Sequence, residues 1–187
     1  MLFRSDPSED QFRKDCVVGD LPAYTFVEPR LLLNHNDMHP PVNSDTLIHS
    51  SILAGEILIN RIYENLFIYG KNPEKALLIV TFDEHGGCYD HVSPPTGVQP
   101  PESDPHYPLE EGFKFDRLGV RVPAIFVSPW IRSGTVVRSH SDVSFDHTSV
   151  IKTIRQRWRL GEHLTKRDKA APSLGHVLNA EQPRSRG

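Results

Sequence analysis

The sequence predicts an α/β fold in which helices flank a sheet. Three observations support this: an apolar run at residues 77–82, a second at residues 121–127, and helically spaced apolar residues before the first run and after the second. The 187 residues, 37% apolar and 24% charged, are typical of one soluble globular domain. We therefore expect an irregular segment over residues 1–20, one domain over residues 21–164, and a flexible tail over residues 165–187.

Three segments have the composition of strands. Residues 23–28 contain β-branched and aromatic side chains and stop at Pro29. Residues 77–82 are apolar on both faces, as in a central parallel strand covered by helices. Residues 121–127 form a second run of this kind, which predicts another buried strand ending before Ser128.

Two segments have the spacing of amphipathic helices. The first begins at Ser44 or Asp45, both good N-cap residues, and runs to about Tyr69, where Gly70 ends it. The second runs over residues 146–158 with Asp146 as its N-cap. Between the strands, residues 93–116 contain six prolines without periodicity, which predicts a long functional or disordered loop.

Composition also limits the class of partner. A net charge of −3 argues against nucleic acid as the main partner, and no apolar run approaches the roughly 20 residues of a transmembrane helix. Residues 1–15 are charged where a signal peptide needs an apolar core, so we expect none in this chain, and localisation stays unknown. Two cysteines define no disulfide framework.

The stretch TFDEHGGCYDHV, residues 81–92, contains five carboxylate or imidazole side chains that could bind a metal ion or transfer protons. Asp83 and Glu84 directly follow the first central strand, where α/β sheets bind their ligands. Two adjacent carboxylates repel each other unless a cation lies between them or one binds a proton. A divalent metal site, a solvated loop, and an acid–base pair without metal all stay open on this evidence. Gly86-Gly87 permits a tight turn that brings Asp90 and His91 back toward the pair.

Two further histidines lie near turns or helix starts. His39, in NDMHPP, is by itself more typical of a loop hydrogen bond than of catalysis. His147, in SFDHTSV, begins a helix, where backbone N–H groups bind anions such as phosphate, but from spacing alone plain capping is the better explanation. For Arg121 a structural salt bridge is favoured over a phosphate contact.

Four stretches in order resemble the phosphoesterase family that includes non-specific phospholipases C and acid phosphatases. They are TFDEHGGCYDHVSPP, NDMHPP with the following helix, GVRVPAIFVSPWIRSGTV, and FDHTSVIKTIRQRW, which together span about residues 20–160. The resemblance implies a partial alkaline-phosphatase-like sheet flanked by helices and metal-assisted hydrolysis of phosphate esters. A phospholipid is one candidate substrate.

The resemblance also assigns site residues. Asp83 and Glu84 match the family's metal ligands, for a divalent ion of unknown identity. His39 matches a phosphate-contacting histidine, and His91 and His147 lie inside matching motifs as catalytic candidates. His85 is a weaker candidate, because family members commonly carry other residues there.

The chain also departs from the family. Family members open with a motif resembling Glu-Asn-Arg-Ser-Phe-Asp-His, and a later segment supplies a Thr or Ser nucleophile. Neither segment has a match in these 187 residues. It therefore implies a C-terminal half with weak or no activity by itself, which a complementing N-terminal half could restore. A non-catalytic remnant that binds metal or phosphate, or an interaction module, is the alternative. Many family members are exported.

Overall fold

The computed structural model describes residues 2–4, 9–31, 35–40, 51–101 and 113–185. These residues form helices and two small two-stranded sheets, which is a mixed α/β architecture. They divide into two compact units. The first unit contains the described residues up to Val80, Ile125–Trp130 and those from Ala180 onward, and the second contains those of Thr81–Ala124 and Ile131–Asn179.

The first unit begins with a parallel pair of short strands, β1 (Leu2–Arg4) and β2 (Phe26–Glu28), joined by helix α1 (Glu9–Val18). The buried Phe12 and Cys16 lie one helical turn apart, so both face the same side of α1 and pack against Val27 and Ile62. This burial raises the pKa of the Cys16 thiol to about 11, and the neighbouring Asp15 contributes to the shift. The expectation of an irregular segment over residues 1–20 is therefore wrong.

Helix α2 (Ile52–Tyr63) continues directly into a π-helical turn, Glu64–Ile68, closed by the bond from the Tyr69 amide to the Glu64 carbonyl. The predicted end at Gly70 is confirmed. A Cβ atom at Gly70 would lie 2.4 Å from the Leu66 carbonyl oxygen, so only glycine fits there. The predicted N-cap, Ser44 or Asp45, lies outside the described residues.

The two predicted central strands are present as β3 (Leu78–Thr81) and β4 (Ala124–Val127), which pair in one sheet. In the first unit, the buried Ser128 hydroxyl after β4 donates to the Ala76 carbonyl at 2.8 Å before β3. The expected burial of β4 is not met, because its Ile125 is 58% exposed. Among the described residues this sheet has two strands, so it does not form the larger helix-covered layer that the apolar runs predict.

In the second unit, helix α3 (His147–Trp158) starts as predicted at the N-cap Asp146. A short helix, α4 (Lys166–Ala170), packs against it, followed by a 3₁₀ turn, Gly175–Val177. Leu174 and Val177 are almost fully buried, so the expectation of a flexible tail from residue 165 is wrong.

The long loop predicted between the strands is irregular where it is described. Residues 93–101 and 113–116 contain no helix or strand, and an isolated bridge joins Thr96 to Arg117. No helix in the described part of the chain is both long and apolar enough to cross a bilayer.

Candidate functional site

The acidic pair lies where β3 ends in the second unit. Thr81, the last residue of β3, is fixed there by the bond from its hydroxyl to the Pro123 carbonyl at 3.0 Å. Asp83 is exposed and Glu84 is 51% exposed at its side chain, so solvent and ions reach both carboxylates. The strand predicted from the sequence therefore ends, as expected, just before this pair of carboxylates.

A glycine turn fixes the second carboxylate of this pair. The Cys88 amide donates to the His85 carbonyl at 3.1 Å, and the central residues Gly86 and Gly87 have φ of 62° and 74°. Positive φ at both central positions is what a type I′ turn requires, and glycine adopts it without strain. Within the turn, the Gly86 amide donates to Glu84 Oε2 at 2.8 Å, while His85 Nδ1 lies 3.3 Å from the same oxygen.

After the turn, a bidentate ion pair holds the returning chain. Arg121 Nε and Nη2 donate to the two carboxylate oxygens of Asp90 at 2.8 and 2.9 Å. These bonds, together with one from the Val92 amide, lower the pKa of the Asp90 carboxyl to about 2. The salt bridge favoured for Arg121 from sequence is confirmed, so this guanidinium is already engaged in the structure.

His91 lies beside this ion pair but faces solvent. Its Nδ1 is 3.6 Å from Asp90 Oδ1, and its side chain is 82% exposed. The structure therefore places His91 on the loop that the glycine turn creates, with a ring that is free to reorient.

His147 reaches the acidic segment from the start of α3. Its Nε2 lies 2.8 Å from the carbonyl oxygen of Phe82, the residue immediately before Asp83, although the two residues are 65 positions apart. A carbonyl oxygen can only accept a hydrogen bond, so Nε2 is the protonated nitrogen. In the neutral ring, Nδ1 then keeps a lone pair that can bind a proton or another ligand.

The start of α3 is fixed by a capping box. Asp146 Oδ1 accepts from the Thr148 amide at 2.8 Å, and the Asp146 amide donates to the hydroxyl of the fully buried Ser149 at 3.2 Å. This arrangement fixes the direction in which the side chain of His147, the first helical residue, leaves the backbone. Sequence reasoning found the cap but missed the contact with Phe82, because its only signal is a tertiary one.

His39 belongs to the first unit. There its Nδ1 contacts the carbonyl oxygen of the adjacent Pro40 at 2.7 Å, and its amide donates to Asp37 Oδ2 at 3.2 Å. These are the loop hydrogen bonds expected from composition alone. A phosphate-contacting role for His39 stays a prediction from the family resemblance.

The donor chemistry of Asp83 and Glu84 fits a hard divalent cation, because carboxylate oxygens are the ligands such ions prefer. Both side chains are accessible, and the Gly86 bond orients one of them. Within the described ranges, no three His, Cys, Asp or Glu side chains converge to hold a metal ion. The described residues therefore offer two adjacent ligands of a coordination shell.

Comparison with known proteins identifies the family. The family model of the phosphoesterase family matches residues 3–161. This chain belongs to the phosphoesterase family. The match begins earlier than the motifs in the sequence indicate, and it includes α1 and β2.

Curated relatives of this phosphoesterase-family chain are named as phospholipases C. It is 39% identical to non-specific phospholipase C5 of Arabidopsis thaliana, over 93% of this chain and 33% of the relative. Identity to non-specific phospholipase C1 of the same plant is 41%, over 84% of this chain and 30% of the relative. Phospholipase C B of Mycobacterium tuberculosis is 33% identical, over 92% of this chain and 34% of the relative. The chain thus spans about a third of the length of these relatives.

Proposed function

We propose that this chain contributes to the active site of a hydrolase that cleaves phosphate ester bonds with the assistance of a divalent metal ion. Family membership supports the reaction class. The observation that carries the proposal is the 2.8 Å contact between His147 Nε2 and the Phe82 carbonyl. This contact brings an imidazole to the backbone position next to an accessible pair of carboxylates, which is a combination that phosphate ester hydrolysis uses.

In this proposal Asp83 and Glu84 hold the metal ion. A bound divalent ion supplies charge neutralisation and polarisation at the phosphoryl group. The Gly86 amide donates to Glu84 Oε2, and this bond orients the whole carboxylate, including Oε1. An oriented ligand loses less freedom when it binds a cation, so the glycine turn favours affinity as well as geometry.

The histidines hold or move protons. His147 is held by its Nε2–H bond to Phe82, so Nδ1 is the atom that accepts a proton and, once protonated, can donate to a phosphate oxygen. In this proposal the exposed ring of His91, whose Nδ1 lies 3.6 Å from Asp90 Oδ1, is the one that meets the leaving group. Such a ring can protonate a leaving alcohol. His39 is proposed as a phosphate contact on the family resemblance.

We further propose that β3 and β4 are strands of an alkaline-phosphatase-like sheet, with a phosphate ester as substrate and a phospholipid as one candidate. A complementing N-terminal half is the proposed partner, because the relatives are about three times as long as the matched stretch. The names of those relatives support the phospholipid candidate.

Calorimetric titration of the full chain with Mn²⁺ or Zn²⁺ tests the metal site. Asp83→Asn keeps the size of the side chain and removes its charge, so we expect metal affinity to fall more than about ten-fold. Asp142→Asn, an exposed carboxylate of the same unit, is the matched control and should leave affinity unchanged. Equal affinity in Asp83→Asn and the unmodified chain would contradict the assignment of the acidic pair.

Hydrolysis of p-nitrophenyl phosphate tests the reaction. The full chain is assayed alone and after addition of a family segment that carries the Glu-Asn-Arg-Ser-Phe-Asp-His-like motif. We expect metal-dependent turnover in the mixture, and its loss when the chain carries Asp83→Asn. Metal binding without turnover in any mixture would instead favour a non-catalytic metal-binding protein.

A further inference from the structure

Helix α4 begins beyond residue 161, where the family match ends, yet one of its side chains reaches the start of α3. Arg167 Nη1 lies 3.7 Å from Asp146 Oδ2, and Arg167 Nη2 donates to the Phe115 carbonyl. The side chains of Arg167 and Asp146 are 16% and 17% exposed, so water competes little for this contact. The pair lies within the second unit.

The two oxygens of the Asp146 carboxylate have separate tasks. Oδ1 caps α3 by accepting from the amide and the hydroxyl of Thr148, at 2.8 and 2.5 Å. Oδ2 faces Arg167. Removal of Arg167 therefore leaves the Oδ1 cap of α3 in place but frees Oδ2, so the Asp146 side chain and the backbone that leads into His147 lose one restraint.

Helix α4 is itself firmly held. Asp168, adjacent to Arg167, is 1% exposed and accepts hydrogen bonds from the hydroxyl of Thr165 and from His163 Nδ1, at 3.0 and 3.3 Å. Burial alone would raise the pKa of Asp168, but its bonds from Thr165 and His163 lower that pKa on balance. A charged Asp168 thus fixes the helix from which Arg167 extends.

These contacts form one continuous connection. Arg167 holds Asp146, Asp146 precedes His147 in the chain, and the His147 ring donates to the Phe82 carbonyl. We propose that Arg167 is a positioning residue for His147: it fixes the backbone before His147 so that the ring keeps its bond to Phe82 and presents Nδ1. This inference deepens the proposed function and rests on it for its catalytic meaning.

Carbethoxylation of histidines by diethyl pyrocarbonate, followed by peptide mass spectrometry, tests the proposal on the full chain without metal. The reagent is attacked by a nitrogen lone pair, and while Nε2–H is bonded to Phe82 only Nδ1, the more crowded nitrogen next to Cβ, carries one. Arg167→Gln should release the ring so that Nε2 can also present a lone pair, which should raise the modification rate of His147 by up to about five-fold, the factor that one typical hydrogen bond is worth. His91, 82% exposed, is the internal reference and should react equally in every variant. Arg167→Lys keeps the charge and should restore part of the protection.

Two controls separate positioning from a loss of structure. Arg157→Gln removes an exposed guanidinium from the last turn of α3 and should leave the His147 rate unchanged. Amide hydrogen exchange of α3 should be the same in Arg167→Gln and the unmodified chain, because Asp146 Oδ1 still caps the helix. Asp146→Asn, which retains the cap, should raise the His147 rate by a similar factor, and the double variant should not add to it.

An unchanged His147 rate in Arg167→Gln would overturn the proposal, and so would a faster rate accompanied by faster exchange throughout α3. Neither readout uses metal or substrate, so failure of the metal-binding test is distinguished from failure of this one. In the active mixture, Arg167→Gln should lower kcat by the same factor and leave KM unchanged. A change in KM alone would contradict a positioning role.

Discussion

The clearest structural perturbation of the site is Asp146→Ala, because Asp146 both starts α3 and directs His147. Loss of an N-cap side chain costs about 1 kcal/mol, within a range of about 0.5–2 kcal/mol. We therefore expect α3 to lose about 0.5–2 kcal/mol of local stability.

Because the chain forms two compact units, the suitable assay is amide hydrogen exchange of residues 148–158 rather than global unfolding. A loss of about 0.5–2 kcal/mol corresponds to exchange about 2- to 30-fold faster in α3. Asp146→Asn is the matched control: asparagine caps as well as aspartate, so its exchange should rise by less than that of Asp146→Ala. Equal exchange in Asp146→Ala and the unmodified chain would refute the capping account of how His147 is placed.

Three further predictions concern the surroundings of the site. The pKa of the Asp90 carboxyl is lowered from 3.8 to about 2, so its ion pair contributes stability that is present above pH 4 and is lost as the pH falls through 2. The NMR signal of the Arg121 Nε–H should therefore persist at pH 4. Loss of this signal already at pH 5 would contradict the ion pair. Asp168→Ala removes the carboxylate that lies 3.9 Å from the buried Arg155 guanidinium and that accepts from the Thr165 amide, so it should cost about 3–5 kcal/mol and open α4, as measured by hydrogen exchange. A change below about 1 kcal/mol would show that α4 is held by other contacts. Gly87 and Gly97 have φ of 74° and 71° with open space around both, so Gly87→Ala and Gly97→Ala should each lower the free energy of unfolding by about 1 kcal/mol. Calorimetry should find weaker metal binding only for Gly87→Ala, because Gly87 lies in the turn that orients Glu84.

Local sequence signals predicted the elements whose own residues determine their structure. The apolar run at residues 77–82 and the β-branched run before Ser128 gave β3 and β4 within a few residues, and the Asp146 cap gave the start of α3. The elements that sequence reasoning missed depend on tertiary packing. Helix α1 shows only Phe12 and Cys16 on its buried face, and charged residues surround them.

Helix α4 was missed for a related reason. Its five residues, KRDKA, contain no apolar stripe, and its stability comes from the buried Asp168 and the capping box with Thr165. A run of charged residues near a chain end is by composition more typical of a solvated tail. The buried charge becomes visible only once His163 and Thr165 are seen to donate to it.

The site was predicted in part. The position of Asp83 and Glu84 followed from the strand that precedes them, because ligand groups of α/β sheets lie at strand ends. The bond of His147 to Phe82 spans 65 positions and has no local signature, so the sequence marked that histidine only as the start of a helix and as part of a family motif. A salt bridge for Arg121 was favoured from residue type, but its partner Asp90 and the bidentate geometry required the structure.

Paramagnetic broadening by Mn²⁺ measures the location of the metal ion most directly. Substoichiometric Mn²⁺ added to the ¹⁵N-labelled full chain should broaden the amide signals of Gly86 and His147 first, because relaxation by the unpaired electrons falls steeply with distance. Asp83→Asn should abolish this selective broadening, and Asp142→Asn should preserve it. Broadening centred elsewhere, or unchanged in Asp83→Asn, would contradict the claim that the acidic pair after β3 holds the cation beside His147.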